Sequence, residues 1–327
     1  MEIGSFLELQ FSAGKEWYTE NKYPDLEIAR LNSGRAAIYH AFQCLGCKTI
    51  YIPYYQCDTV RDFLNRKGVV VRYYSIDKEL TPLLKAQDIE SDAAVLIVNY
   101  YGVMSERRMR ELAARYDRVI IDNSQAFFAK PIETCMNVYS ARKFVGVPDG
   151  AYVVGKNALR GWETYPQGYS SDTAVFLLQR HEYGCEGKTY ESRMLNEHRI
   201  DSEDIMRMSG LTHKILDGTD YSVIQKKRRE NFAYACQLFD EINCLKARQH
   251  VADDVVPMVY PLLIEDDALL QKLLKAKHFQ GHWWSYLLDE VPKDSVEYWL
   301  SRYIIPITID QRYGKEELEY IKEIIFE

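Results

Sequence analysis

The sequence predicts an α/β protein: a mainly parallel sheet between layers of helix, followed by a small α+β part. Three observations carry this. From Asn32 to Val154, β-rich runs alternate with helical runs, the rhythm of a parallel sheet whose strands are joined by helices. Two of those runs are continuously apolar rather than alternating, as strands buried on both faces are. Past residue 220 a long helical stretch leads to two short β runs and two amphipathic helices. The predicted division is therefore 1–220 for the large part, with its N-terminal segment, and 221–327 for the small one.

The elements follow in order. "SGRAAIYHAFQCLG" (33–46) reads as a helix with a serine near its start and a glycine at its end. "TIYIP" (49–53) is a short strand, "DTVRDFLNRKG" (58–68) a helix and "VVVRYYSI" (69–76) a β-rich strand. "AAVLIVNYYG" (93–102) and "RVIIDNSQAF" (118–127) are the two buried strands, with the helix "SERRMRELAARYD" (105–117) between them. Met136–Tyr139 and Ala151–Val154 are further strands around a loop that holds a Pro-Asp-Gly turn. Between 155 and 220 the pattern is weaker: "TAVFLLQRHEYG" and "SEDIMRMSGLTHKIL" read as helical, and the rest of 155–200 as loop. The C-terminal part offers a helix over Tyr221–Ile242, strands in "VPMVYPLLI" and "YIIPITID", and helices in "ALLQKLLKAKH" and "KEELEYIKEII".

Composition narrows the function classes. The chain has 327 residues, 47% apolar and 27% charged, with a formal net charge of −7. That charge gives no whole-chain attraction to nucleic acid or an anionic membrane. No apolar run approaches the roughly 18 residues of a membrane span, and "MEIGSFLELQF" lacks the basic start and apolar core of a secretory signal. The expectation is a cytoplasmic protein whose seven cysteines are free thiols. Cys44 and Cys47 form a C-x-x-C with no second pair, and the seven histidines form no metal motif, so no metal is expected.

Four segments carry polar residues where a parallel sheet presents its ligand site, at the carboxyl ends of its strands. "NSGRAA" places Ser33, Gly34 and Arg35 at a helix N-terminus, whose free N–H groups and dipole favour an anion. The same Ser-Gly is also an ordinary helix cap. "PYYQCDT" offers Tyr54 and Tyr55 after the second strand. "IIDNSQAF" puts Asp122 at the end of a buried strand, with Gln125 three residues on. "YSARKF" brings Ser140 and Lys143 just past another strand end. Each alone has a bland reading: a turn former, or a solvated lysine.

Taken in order, these segments resemble the fold type I pyridoxal-phosphate (PLP) enzymes, and among them the DegT/StrS family of sugar aminotransferases. "LNSGRAAIYHAFQCLG" resembles the family's S-G-T-x-A-L helix, "VNYYG" its strand ending in glycine, and "IIDNSQAF" its E-D-x-x-Q-A element. "YSARKFVGVPDGAYVV" is similar to its Ser…Lys…Gly-Gly element, and "IIPITIDQRYGKEELEYIKEII" to its closing segment. The resemblance implies a three-layer large domain and a small C-terminal domain. It also implies PLP as cofactor, a homodimer, and transfer of an amino group from glutamate to a nucleotide-linked keto-sugar, as in polysaccharide biosynthesis.

Residue by residue, the resemblance implies that Lys143 bonds the cofactor and moves protons as base and acid. Asp122 would pair with the ring nitrogen and Gln125 with the ring hydroxyl, while Ser33, Gly34 and Ser140 would hold the phosphate. The chain departs from the family in several places. Only Ala141 and Arg142 separate the serine from the lysine; Arg35 stands at the family's threonine; Cys57 stands at its stacking aromatic, with Tyr55 or Tyr54 as substitutes. "ESRMLNEHR" is only a loose counterpart of its G-x-N-x-R-M segment. Trp284 and Tyr313 are candidate stacking faces for a sugar or base, and Arg312 for a diphosphate. Trp283 and Trp284 also read as core of the small part, the favoured reading for at least one of them. Tyr165, Tyr169, His181 and Tyr183 mark the region expected to reach a second subunit. Two rival readings stay open: a homologue that binds a sugar nucleotide or a partner without transamination, and a related PLP-dependent sugar dehydratase. The dehydratase branch typically carries histidine where this chain has Lys143.

Overall fold

The structure is a computed structural model that describes residues 6–245, Ala252 and 255–327. Its strands are β1 (Glu27–Leu31), β2 (Thr49–Pro53), β3 (Val70–Tyr74), β4 (Ala93–Val98), β5 (Val119–Asn123), β6 (Met136–Ser140), β7 (Ala151–Gly155), β8 (Val259–Leu263) and β9 (Ile304–Thr308). The first six helices are α1 (Gly34–Leu45), α2 (Asp58–Arg66), α3 (Glu106–Ala113), α4 (Val175–Tyr183), α5 (Lys188–Ser202) and α6 (Gly210–Asp217). They are followed by α7 (Tyr221–Phe239), α8 (Leu269–Lys275), α9 (Leu287–Glu290), α10 (Val296–Tyr303) and α11 (Lys315–Phe326).

Among the described residues, seven strands form one sheet in the order β1-β7-β6-β5-β4-β2-β3. The β2–β3, β2–β4, β4–β5 and β5–β6 pairs are parallel, while β7 runs antiparallel to both β6 and β1. A second sheet pairs β8 with β9 antiparallel. The α/β class and the small additional sheet are thus as predicted.

Alternation along the strands decides what lies on each face. Ala94, Leu96, Ile120 and Val138 pack under Ala37 and Ala41 of α1. Val95, Ile97 and Ile121 face the other way, into a core shared with Phe232 of α7, Leu262 of β8 and Ile305 of β9. Burying one such aliphatic side chain contributes about 1.5–3 kcal/mol, so both layers are tied firmly to the central strands. The caps of α1 match the sequence: the Ser33 side chain accepts from the Ala36 N–H, and Gly46 closes the helix at φ 65°.

Several elements depart from the prediction, among them β1 and α10, which it did not contain. The run 93–102 is not one strand. It stops at Val98, and Tyr100–Gly102 form a 3₁₀ turn with Tyr101 at φ 59° and Gly102 at φ 69°. A Cβ on Gly102 would stand 2.2 Å from the Gln125 carbonyl oxygen, so the turn is pressed against the end of β5. The stretch 202–209 is mostly extended, not helical: Asn32 N–H donates to the Met206 carbonyl and Met208 N–H to the Arg30 carbonyl. Much of the region expected as loop is the helix α5. All seven cysteines are free, with Cys44 in α1 and Cys47 just beyond its Gly46 cap. No described helix is long and apolar enough to cross a membrane.

Candidate active site

Strand direction brings the four segments to one edge. β1, β2, β4, β5 and β6 all run the same way, so Asn32–Arg35, Tyr54–Cys57, Asn99–Gly102, Asp122–Gln125 and Ser140–Lys143 all follow carboxyl ends of the sheet. Asp122 lies opposite Val138 in the β5–β6 register, and Asn123 opposite Tyr139. Ser140 therefore ends the strand next to Asp122. The N-terminus of α1 closes over the same corner, where a Cβ added to Gly34 would come 3.2 Å from Ser124 Oγ.

Asp122 is the centre of this corner and is 5% exposed. One carboxylate oxygen accepts the Ser124 N–H (2.8 Å) and the other accepts Gln56 Nε2–H (3.0 Å). Its partner Gln56 adjoins an aromatic group drawn from three segments. Tyr55 Oη and Tyr101 Oη are hydrogen-bonded at 2.8 Å, and Tyr100 Oη donates to the Tyr55 carbonyl at 2.8 Å. Trp284 sets its edge on Tyr55 with centroids 4.4 Å apart, and Trp283 stacks on Tyr101 at 5.4 Å. Burial pushes the Tyr55 and Tyr101 hydroxyls far above the usual phenol range, so both remain neutral. Gln125 Oε1 accepts the Tyr101 N–H at 2.6 Å, which holds the strained 100–102 turn.

The Lys143 corner is more open. Ala141–Lys143 form a 3₁₀ turn, and the Lys143 side chain is exposed. Arg142 pairs with Glu197 of α5. The Lys143 carbonyl accepts from Arg228 of α7 (3.3 Å) and the Phe144 carbonyl from Gln311 (2.9 Å). Among the described residues Lys143 has no ion-pair partner. A separate cavity of about 410 Å³ lies on the opposite sheet face, lined in part by Asn99, Ile121 and Asn123. Asn123 points away from the Asp122 side, so that cavity does not belong to this corner.

No protein-family model and no curated protein sequence matches the chain; solved structures do. One is NtdA from Bacillus subtilis with its cofactor PMP bound, at TM-score 0.64 and 14% identity over 97% of this chain and 78% of that one. A DegT DnrJ EryC1 StrS aminotransferase from Brucella abortus matches at TM-score 0.60 and 12% identity, over 94% and 87%. A variant of GDP-4-keto-6-deoxymannose-3-dehydratase (ColD) with bound GDP-perosamine matches at TM-score 0.59 and 12% identity, over 97% and 100%. The chain has the fold of the DegT/DnrJ/EryC1/StrS aminotransferases. At these identities the likeness is one of fold, and it includes a dehydratase.

Held against that fold, the polar groups at this corner suit the chemistry of PLP. A twelve-residue helix starts at Gly34 with its N-terminus on the corner, and a Cβ there would crowd Ser124. Asp122 supplies a buried carboxylate, and the Gln56 amide N–H bonded to it is a donor of the kind a protonated ring nitrogen provides. Other predicted residues are engaged elsewhere. Arg35 is buried and paired with Asp201 of α5 at 2.6 Å, leaving its Nε without a partner. Cys57 precedes α2, with Sγ 3.1 Å from Thr59 Oγ1. Arg312 is paired with Asp310 at 2.7 Å and lies over the Tyr313 ring, beside Gln311 and hence near the Lys143 turn. Sequence reading passed over Gln56, Ser124, Tyr101 and Tyr286. For Gln56 the one available signal is an uncharged polar residue inside the aromatic run after a buried strand.

Proposed function

We propose that the chain is a PLP-dependent aminotransferase that moves an amino group from glutamate onto a nucleotide-linked keto-sugar. The observation that carries this is Asp122: a buried carboxylate at the end of β5, beside the strand that leads to Ser140 and Lys143 and under the N-terminus of α1. In this reading Ser33, Gly34 and Ser140 hold the phosphate, assisted by the α1 N-terminus. Asp122 would keep the ring nitrogen protonated, and Gln125 would orient the ring. Lys143 Nζ would anchor the cofactor and would take up and return a proton as general base and acid. When bound, the cofactor supplies the electron sink that makes the carbon–hydrogen bond acidic. Trp284, Tyr313 and Arg312 are assigned to the sugar nucleotide. The fold shared with PMP-bound NtdA and with GDP-perosamine-bound ColD supports both ligand classes. The boundary near residue 220, between a cofactor-binding part and a smaller C-terminal part, belongs to the same reading.

A homodimer completes this proposal. The α4–α5 region exposes Tyr169, Leu178, Tyr183, Tyr190 and Leu195, an apolar surface next to the open Lys143 corner. The second reading, a homologue that binds without transamination, draws on one observation. Tyr55, a candidate stacking face for the ring, is fully buried among Tyr100, Tyr101 and Trp284. One experiment separates the two. Purified protein mixed with PLP should develop a visible absorption band, and borohydride followed by peptide mapping should find cofactor mass on Lys143. Glutamate should bleach the band and a keto-sugar nucleotide should restore it. Label on another lysine refutes the Lys143 assignment; a band that no amino donor changes identifies the binding homologue.

A further inference from the structure

A carboxylate offers about four lone-pair positions on two oxygens. At Asp122 one position on each oxygen is taken, by Ser124 N–H and by Gln56 Nε2–H. Two donors on different oxygens fix the plane of the group and leave lone pairs for a third N–H. Gln56 is itself 3% exposed, and its backbone is anchored on both sides. Its N–H donates to the Tyr54 carbonyl (2.9 Å) and its carbonyl accepts Tyr286 Oη–H (2.6 Å). Tyr286 is clamped in turn: the Arg61 guanidinium lies over its ring at 4.9 Å, and Arg61 pairs with Glu290 of α9 at 2.7 Å. Trp284, two residues before Tyr286, packs on Tyr55, the neighbour of Gln56. A continuous set of contacts thus runs from the 284–290 segment of the C-terminal part to the Asp122 carboxylate.

We infer that Gln56 is the positioning residue of this site: it sets the Asp122 carboxylate for a ring nitrogen and ties that setting to the position of the 284–290 segment. The inference rests on the cofactor reading above. Hydrogen bonds to charged groups contribute about 1.5–3 kcal/mol, so losing this one should weaken cofactor binding roughly 10- to 100-fold. Tyr286 acts one step removed, so its effect should be smaller and in the same direction.

The test is a spectral titration of the full chain with PLP, read as apparent Kd, beside a thermal melt of each variant. Gln56→Leu keeps the bulk and removes the donor, and its Kd should rise at least about tenfold. Tyr286→Phe should raise Kd roughly two- to fivefold. Gln56→Glu is the diagnostic variant. Near about pH 8 it sets two carboxylates against each other, and binding should collapse; near about pH 6 a shared proton restores a donor, and binding relative to wild type should recover. A residue that merely fills space would give no such pH recovery. Wild type that labels Lys143 while Gln56→Leu binds equally well or more tightly overturns the inference and leaves the cofactor reading standing. Wild type that binds no PLP overturns both. Should Gln56→Leu fail to fold, the pH recovery of Gln56→Glu decides, its presence supporting the role and its absence refuting it.

Discussion

The two ends of the candidate site are built in opposite ways. Asp122 is buried: two hydrogen bonds within its own corner fix it, and one of its donors, Gln56, adjoins the Tyr55–Tyr101–Trp284 group. Lys143 stands on an exposed turn held from outside, by Glu197 of α5, Arg228 of α7 and Gln311 after β9. The lesson is a division of labour. A group that must hold one orientation is cheapest to fix by burial, because the surrounding hydrogen bonds are already needed for folding. A group that must reach and move a proton needs room, so its backbone is tied while its side chain is left free.

The strongest way to break this comparison is to remove each group in turn. Lys143→Ala should abolish covalent cofactor capture and turnover while leaving thermal stability within about 0.5 kcal/mol of wild type, since exposed substitutions cost little. Asp122→Asn should lower turnover by orders of magnitude, because the ring-nitrogen charge acts mainly in the transition state. It should also cost stability, about 1–3 kcal/mol, because the new NH2 must face one of the two donors, Ser124 N–H or Gln56 Nε2–H, that the carboxylate accepts. Paired melts and kinetics check both. Equal stability losses in the two variants would show that the ends do not differ in the way proposed.

A smaller effect probes the packing at the Asp122 end alone. Tyr55→Phe removes one hydroxyl of the buried Tyr55–Tyr101 bond and leaves the Tyr101 hydroxyl unpaired in the core. The expected cost is about 1–3 kcal/mol in chemical denaturation, with Lys143 labelling unchanged. A loss of labelling would mean that Tyr55 contacts the cofactor itself.

How much of this was legible in the sequence follows the range of the interactions. The ends of α1 were readable because Ser33 and Gly46 act within one turn of the helix. β4 and β5 were readable because burial on both faces leaves a continuous apolar run. β1 was not, since "EIARL" is a five-residue edge strand with Glu27 and Arg30 in it. α5 was not, because it buries only Thr189, Asn196 and Ile200 and shows no apolar stripe. Asp122 and Lys143 stood out through their places after strands and through the family resemblance. The Gln56–Asp122 bond joins positions 66 apart, and the Tyr286–Gln56 bond joins positions 230 apart. No local pattern reports such pairings, so the residue that orients Asp122 became visible only in the fold.

The finest test concerns how the Lys143 end is braced. The loop that begins at Ser140 ends at Asp149, which accepts from the Ser209 N–H (3.0 Å) and Ser209 Oγ–H (2.8 Å) at the start of α6. His213 of α6 pairs with Glu16, whose other oxygen accepts from Arg30 Nε–H (2.9 Å) and Tyr152 Oη–H (3.0 Å). Burial alone would raise the Glu16 carboxyl, but the hydrogen bond to His213 and the Arg30 charge outweigh it and hold it below its ordinary 4.5. The sign follows from that. A carboxyl depressed in the folded state stabilises fully above its unfolded value and loses that contribution as pH falls through the folded one. Glu16→Gln should therefore be less stable than wild type near neutrality, by about 1–2 kcal/mol. The gap should close as pH falls from about 5 toward about 3. If the brace matters to the site, the variant should label Lys143 somewhat more slowly at neutral pH, with Asp122-dependent binding unchanged. A stability gap that stays constant down to acid would show that Glu16 acts through packing rather than charge, and that the Lys143 end does not lean on the N-terminal segment.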